Sequence, residues 1–117
     1  MQTYAGSCHC GAVKYAVTME PVTSAMACNC SMCGRAGTLL SFVPESAFEL
    51  KQGGDAVASY KFNKHVVDHL FCTTCGIKSF ARGKTRDGSP TVAINVRCLA
   101  GVDVDKLDIK HFDGASH

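Results

Sequence analysis

The sequence predicts a mainly β protein built from short strands. One stretch alternates between apolar and polar residues, and turn-forming residues recur along the chain. No long amphipathic helix or heptad repeat interrupts this pattern. Many short strands with frequent turns are typical of sandwiches, barrels and related packings of sheets. The 117 residues are expected to form a single domain, residues 1–117, large enough to bury a modest core.

The clearest strand covers residues 12–19, where every second residue from Val13 to Met19 is apolar and Glu20-Pro21 follows. Further strands are predicted at 38–43, 48–51, 57–62, 66–71, 77–81, 91–96 and 109–112, and residues 24–27 form a short apolar segment that leads into a cysteine-rich stretch. The connections are predicted as a flexible exit loop (34–37), a turn or single helical turn (44–47), a hairpin at Gly53-Gly54, a second hairpin through Asn63-Lys64-His65, a turn (87–90) and a short helical turn (103–107).

Composition and charge exclude several function classes. No window of 18 apolar residues could span a membrane, and the first residues lack the basic and apolar regions of a secretion signal. We therefore expect a cytoplasmic protein with no membrane partner. The net charge is +2 with scattered basic residues, so no nucleic acid partner is expected. The oligomeric state is not predicted.

Eight cysteines in one chain require an explanation. A disulfide framework is one alternative, but the expected reducing compartment and the CxC and CxxC spacings favour metal chelation. The stronger signal is a Cys₄ zinc site formed by two distant pairs, each followed by glycine; the pairs are Cys8 with Cys10, and Cys72 with Cys75. The alternative is four buried free thiols, which the polar neighbours of these cysteines oppose.

Cys28, Cys30 and Cys33 form a second cluster, CxCxxC, that is one ligand short of a tetrahedron. Three interpretations stay open: a closed zinc site, an open zinc site, and a surface loop of reactive thiols. A closed site would take its fourth ligand from Cys98, His9, His65 or His69. Zn²⁺ held by three thiolates carries a net charge of −1, which suits an incoming thiol better than activation of water.

The remaining polar candidates are isolated residues. His9, His65, His69, His111 and His117 are candidate acid-base groups, although surface or core roles are common for single histidines. Three arginines, Arg35, Arg82 and Arg97, could hold the carboxylates of a small ligand. Asn95 serves either backbone hydrogen bonding or the site, and Cys98 is either a plain buried thiol or the fourth ligand.

Four motifs in order, GxCxCG, CxCxxC, FCxxCG and NVRCL followed by GVD, resemble the glutathione-dependent formaldehyde-activating family, which includes centromere protein V. The resemblance runs from Gly6 to about Phe112. It implies an all-β, Mss4-like fold of packed antiparallel sheets with zinc-binding knuckles. It also implies a structural zinc at Cys8, Cys10, Cys72 and Cys75, and a catalytic zinc at Cys28, Cys30 and Cys33. Asn29 stands where many members have histidine, and Gly34 where many have a basic residue.

The activity implied by the resemblance is that of a carbon-sulfur lyase, in which formaldehyde and the thiol of glutathione combine or separate. Two zinc ions per chain and a small thiol such as glutathione are therefore the expected cofactors and partner. The alternative function is a non-catalytic zinc-binding module that recognises a protein or a thiol ligand.

Overall fold

The computed structural model describes residues 1–61 and 67–116 and shows a mainly β protein. The predicted connection at Asn63-Lys64-His65 lies outside these residues, as does His117. The strands are β1 (Gln2–Ser7), β2 (Lys14–Met19), β3 (Ser24–Cys28), β4 (Leu40–Pro44), β5 (Phe48–Gln52), β6 (Val57–Tyr60), β7 (Asp68–Cys72), β8 (Phe80–Lys84), β9 (Pro90–Asn95) and β10 (Asp108–Phe112). The α-helix α1 is Ser31–Ala36, and 3₁₀ turns cover Glu45–Ala47, Val96–Cys98, Val104–Lys106 and Gly114–Ser116.

The strands form two sheets. The smaller sheet has the order β1-β2-β5, and the larger has the order β10-β3-β4-β9-β8-β7-β6. The pairs are antiparallel except that β10 runs parallel to β3, where Asp108 lies beside Ser24 and Phe112 beside Cys28. The expectation of antiparallel sheets therefore fails at this edge, because β10 and β3 are distant in sequence and are not joined by a hairpin.

Alternating burial on β2 confirms the predicted period-2 strand. Val13, Tyr15 and Val17 are almost completely buried, whereas Lys14 and Thr18 face solvent. The buried face contacts the larger sheet through the ring of Tyr15, whose centroid lies 5.7 Å from that of Phe80. The Tyr15 hydroxyl donates a hydrogen bond of 3.2 Å to the carbonyl of Ser79. The two sheets are thus joined at the core by both apolar and polar contacts.

The Gly53-Gly54 turn does not make the predicted hairpin. Gly53 has a φ of 94° and its carbonyl accepts from the amide of Ala56, so a turn is present. However, β5 before the turn pairs with β2, whereas β6 after it pairs with β7 in the other sheet. The turn therefore carries the chain from one sheet to the other.

The structure also differs from two other predictions about local structure. The segment predicted as a flexible exit loop is mostly the second half of α1, which ends at Ala36 and is capped by Gly37 with a φ of 71°. The strand predicted at 77–81 begins only at Phe80. β1 has no counterpart among the predicted strands, whereas β6 and β7 pair as the predicted second hairpin.

No helix in the described residues is long and apolar enough to cross a membrane.

Candidate metal centres

The first candidate centre brings together two turns from opposite parts of the chain. Cys8 and Cys10 lie between β1 and β2, and Cys72 and Cys75 lie at the end of β7. All four Sγ atoms lie within 4.8 Å of one another. The Sγ of Cys10 is 3.7 Å from that of Cys8 and 3.6 Å from that of Cys72. These separations fit a tetrahedron with Zn–S bonds of about 2.3 Å, whose edges are about 3.8 Å.

Both turns share a backbone arrangement that aims the sulfurs inward. The amide of the first cysteine bonds a carbonyl five residues later, Cys8 to Val13 at 3.1 Å and Cys72 to Ile77 at 3.0 Å. A glycine follows the second cysteine in each turn, with φ of 84° at Gly11 and 79° at Gly76. Such left-handed conformations strain other residues, so these glycines shape the two cysteine turns.

Backbone amides also stabilise the thiolates that a metal requires. The amide of Val13 donates to the Sγ of Cys8 at 3.3 Å, and that of Thr74 donates to Cys72 at 3.4 Å. Hydrogen bonds from backbone amides, that of Cys10 first, lower the pKa of Cys75 to about 6. The donor set therefore fits a soft divalent ion such as Zn²⁺.

The second candidate centre is built where β3 turns into α1. Cys28 ends β3, Cys30 caps the helix and Cys33 lies inside it. The Sγ of Cys30 accepts from the amide of Cys33 at 3.3 Å, and that of Cys28 is 3.5 Å from the amide of Cys30. This capping places all three sulfurs, hereafter the trio, within 4.8 Å of one another. The CxCxxC spacing therefore forms one cluster, as predicted.

No fourth histidine, cysteine or carboxylate among the described residues joins the trio. Cys98 lies elsewhere: its pKa is raised chiefly by burial, and the neighbouring thiols that act on it are Cys8 and Cys75. His9 and His69, the other described candidates for a fourth ligand, are also outside the trio. His65 lies outside the described residues. Within the described chain, the trio therefore offers three sulfur ligands.

Lys78 supplies a positive charge beside the trio, and no sequence pattern marked it. Burial raises the pKa of the Cys33 thiol to about 11, and the charge of Lys78 opposes this rise. Conversely, burial lowers the pKa of the Lys78 ammonium while the three thiols act to raise it. Lys78 is an isolated lysine between β7 and β8, so only the fold reveals its position.

The C-terminal strap, residues 112–116, covers one side of the trio. The side-chain amide of Asn29 donates to Asp113 Oδ1 at 3.0 Å, and its oxygen accepts from the amide of Ala115 at 2.9 Å. Gly114 packs so closely that an added Cβ would overlap the Sγ of Cys28 and lie 3.3 Å from the Cβ of Cys30. Asn29 thus ties the strap to the segment that carries the trio.

The three arginines predicted as possible ligand contacts lie in different parts of the fold. The guanidinium of Arg35 bonds the Ser31 carbonyl within α1, and that of Arg82 lies 5.2 Å from the centroid of the Phe48 ring. Arg97 instead lies near the end of β9, where its Nε donates to the carbonyl of Gly37 at 3.2 Å.

The histidines also differ in surroundings. His9 and His111 are exposed, whereas His69 is buried in β7, and burial lowers its pKa to about 4. A histidine with so low a pKa is neutral near pH 7.

With both clusters in place, comparison with known proteins identifies the group of relatives. Residues 3–110 match the family model described as "Glutathione-dependent formaldehyde-activating enzyme". The chain belongs to this family.

A solved structure with a similar fold supports the architecture described above. A crystal structure of a Rhodobacter sphaeroides protein is 30% identical to this chain and superposes with a TM-score of 0.81. The match covers 92% of this chain and 99% of that one. The resemblance inferred from the cysteine motifs is thereby confirmed, and the two cysteine clusters fit zinc binding.

Proposed function

We propose that the trio of Cys28, Cys30 and Cys33 holds a zinc ion at which glutathione or a similar small thiol binds, and that the protein forms or cleaves the formaldehyde adduct of that thiol. In the same proposal Cys8, Cys10, Cys72 and Cys75 hold a structural zinc. The observation that carries the proposal is the trio itself, which has three sulfur ligands, no fourth among the described residues, and a lysine beside it. When bound, zinc in a three-thiolate site supplies a position for a fourth sulfur and favours its deprotonated form.

The reaction is balanced without an oxidant or reductant. In the forward direction a bond forms between the thiol sulfur and the aldehyde carbon, and the C=O double bond becomes a C–OH single bond. The proton released by the thiol ends on the new hydroxyl group. In the reverse direction the C–S bond breaks and the same proton returns to sulfur.

The chain contributes positioning and charge to this chemistry. Cys33 is buried within α1, so its sulfur has a fixed direction, whereas Cys28 and Cys30 are half-buried. The strap, tied by Asn29, covers the trio next to Cys28 and limits approach from that side. The ammonium of Lys78 offsets the negative charge of the thiolates and of an incoming sulfur.

Two measurements test the proposal. X-ray absorption at the zinc edge, with and without glutathione, should show the mean sulfur coordination rise when the thiol is added. Exchange NMR on glutathione and formaldehyde should show faster adduct exchange with the wild type than in buffer, and a loss of this acceleration in Cys33→Ser. Cys98→Ser is the matched control, because Cys98 lies outside both clusters.

The outcomes separate the two candidate functions. If the wild type binds zinc and glutathione but does not exceed the buffer rate of exchange, the enzyme assignment is wrong and a thiol-binding module is favoured. If the sulfur coordination does not change with glutathione, the trio does not receive a thiol and the proposal as a whole is refuted.

A further inference from the structure

A cavity of about 460 Å³ is lined by Lys78 and by the turn that carries Cys8 of the first candidate centre. Its walls come from the turn around Cys8, the C-terminal end of α1 with Thr38, the segment before β8, and the end of β9 with Asn95 and Arg97. It contains none of the three trio cysteines. Lys78 links the cavity to the trio, because it lines the cavity and its charge acts on the three trio sulfurs.

Two cationic side chains line this cavity. Lys78 and Arg97 both line it, and no aspartate or glutamate does so among the described residues. Neither cation forms an ion pair with a carboxylate in the part of the chain that the structure describes. Arg97 uses its Nε for the carbonyl of Gly37, which leaves both terminal amino groups for a ligand. Two cations that pair with no described carboxylate and line one concave site favour an anionic ligand.

A buried hydroxyl adds a second and independent indication. The Oγ1 of Thr38 has no hydrogen-bond partner, although Thr38 is only 4% exposed and lines the same cavity. A buried polar group without a partner costs free energy, and a bound ligand would satisfy it. A hydroxyl can donate to a carboxylate oxygen, which fits the charges of the two neighbouring cations.

Asn95 holds these groups in place. Its side-chain oxygen accepts from the amides of Arg97 at 3.2 Å and Leu39 at 3.4 Å, and its side-chain nitrogen donates to the carbonyl of Lys78 at 3.0 Å. Asn95 is itself buried, with 7% of its surface exposed. One side chain thus fixes the backbone at three walls of the cavity, which is the preorganisation that a binding site requires.

We propose that this cavity binds the carboxylate of the thiol substrate, with Lys78 and Arg97 as its cationic contacts and Thr38 as a hydroxyl donor. This inference rests on the proposed function for the site of the sulfur, and it narrows the substrate class to small thiols that carry a carboxylate. Arginine and carboxylate form paired hydrogen bonds, which makes Arg97 the residue that distinguishes such thiols from neutral ones. Asn95 acts as a positioning residue.

The test uses a ligand that cannot place a free thiol on a metal. S-methylglutathione keeps the carboxylates of glutathione, so its binding reports on the cavity alone. In NMR titrations of the zinc-loaded protein, we expect amide shifts around Thr38, Lys78 and Arg97 with wild type. Arg97→Gln should weaken this binding about tenfold, the usual effect of losing one charge-assisted contact. Arg86→Gln is the matched control, since Arg86 is exposed in the turn between β8 and β9.

A kinetic comparison supplies the second readout. Arg97→Gln should raise the KM for glutathione about tenfold and leave the KM for 2-mercaptoethanol, which has no carboxylate, unchanged. Absence of cavity shifts with S-methylglutathione, or an unchanged affinity in Arg97→Gln, overturns the carboxylate site. Acceleration of adduct exchange without cavity binding would leave the proposed function standing. Cavity binding sensitive to Arg97 without acceleration would refute the function and support the carboxylate site.

Discussion

Gly114→Ala is the sharpest perturbation of the trio, because it places one methyl group between the strap and the cysteines. The added Cβ would overlap the Sγ of Cys28 and lie 3.3 Å from the Cβ of Cys30. Either the strap must move outward or the Cys28 sulfur must leave its position. The backbone at Gly114 does not have the positive φ found at other glycines, so the effect is one of space and not of backbone strain.

Displacing the strap and displacing the sulfur should cost a similar amount of free energy. Displacing the strap breaks the two hydrogen bonds of Asn29, to Asp113 and from Ala115, which are 3.0 Å and 2.9 Å long. Each is worth about 1 kcal/mol net, so their loss costs about 2 kcal/mol. Moving the sulfur instead is a case of overpacking, which typically costs about 1–3 kcal/mol. A loss of about 2 kcal/mol corresponds to a change of about 30-fold in affinity if it falls on the metal.

The assay is competition with a chromophoric chelator combined with thermal unfolding. We expect Gly114→Ala either to release zinc from the trio at about 30-fold lower chelator concentration or to lower the free energy of unfolding by about 2 kcal/mol. Gly34→Ala is the matched control, because its Cβ would lie 3.7 Å from the nearest atom, the Asn29 carbonyl oxygen, an ordinary contact. If Gly114→Ala keeps wild-type zinc affinity and wild-type stability, the strap does not lie against the trio as described.

Three further predictions concern the rest of the molecule. Cys75→Ser should lose the proposed structural zinc and with it most of the folded β signal in circular dichroism, because binding free energy of a structural zinc is folding free energy; a folded, zinc-free variant would contradict this. Cys98→Ala should keep the wild-type zinc content by elemental analysis, because Cys98 lies outside both clusters, and a lost equivalent would make it a ligand. His69 is neutral in the fold, since burial lowers its pKa to about 4, so stability is lost as pH falls below the ordinary histidine value. Between about pH 7 and about pH 5.5 the wild type should lose about 1 kcal/mol more than His69→Gln in urea unfolding, and parallel losses would contradict the prediction.

Local signals in the sequence predicted much of the fold. The alternation from Val13 to Met19 reports burial on one face of a single strand, so β2 could be predicted without any tertiary information. The continuous apolar run at 91–96 likewise predicts β9 from local sequence, because such runs are typical of strands buried on both faces. The parallel pairing of β10 with β3 and the move of the chain between sheets after Gly53 depend on distant partners, which no local pattern encodes.

The candidate site likewise combines features that local sequence predicts with features that only the fold reveals. The cysteines of each cluster are close in sequence or follow a recognisable turn, so their grouping could be predicted. Helix α1 has six residues, fewer than an amphipathic pattern needs, and it is set by the Cys30 cap and Gly37. Lys78 and Thr38 carry no motif at all, and their roles arise only because separate segments meet around Asn95.

We expect Lys78 to favour the binding of any thiol by offsetting the charge of its thiolate, whereas Arg97 should favour only thiols that carry a carboxylate. Three thiolates on Zn²⁺ carry a net charge of −1, and a fourth thiolate makes it −2. At the trio the described chain supplies one half-buried ammonium, that of Lys78, whose charge acts on all three sulfurs. Loss of this charge penalises any incoming thiolate, whatever the remainder of the ligand contains.

Lys78→Met, which keeps the length of the side chain and removes its charge, tests this division. We expect the KM for 2-mercaptoethanol to rise about fivefold to tenfold, and the KM for glutathione to rise further, because Lys78 also lines the cavity proposed for its carboxylate. Arg97→Gln, by contrast, should affect glutathione alone. If Lys78→Met leaves the neutral thiol unchanged while weakening glutathione, Lys78 serves only the carboxylate, and the trio binds its thiol without a compensating cation.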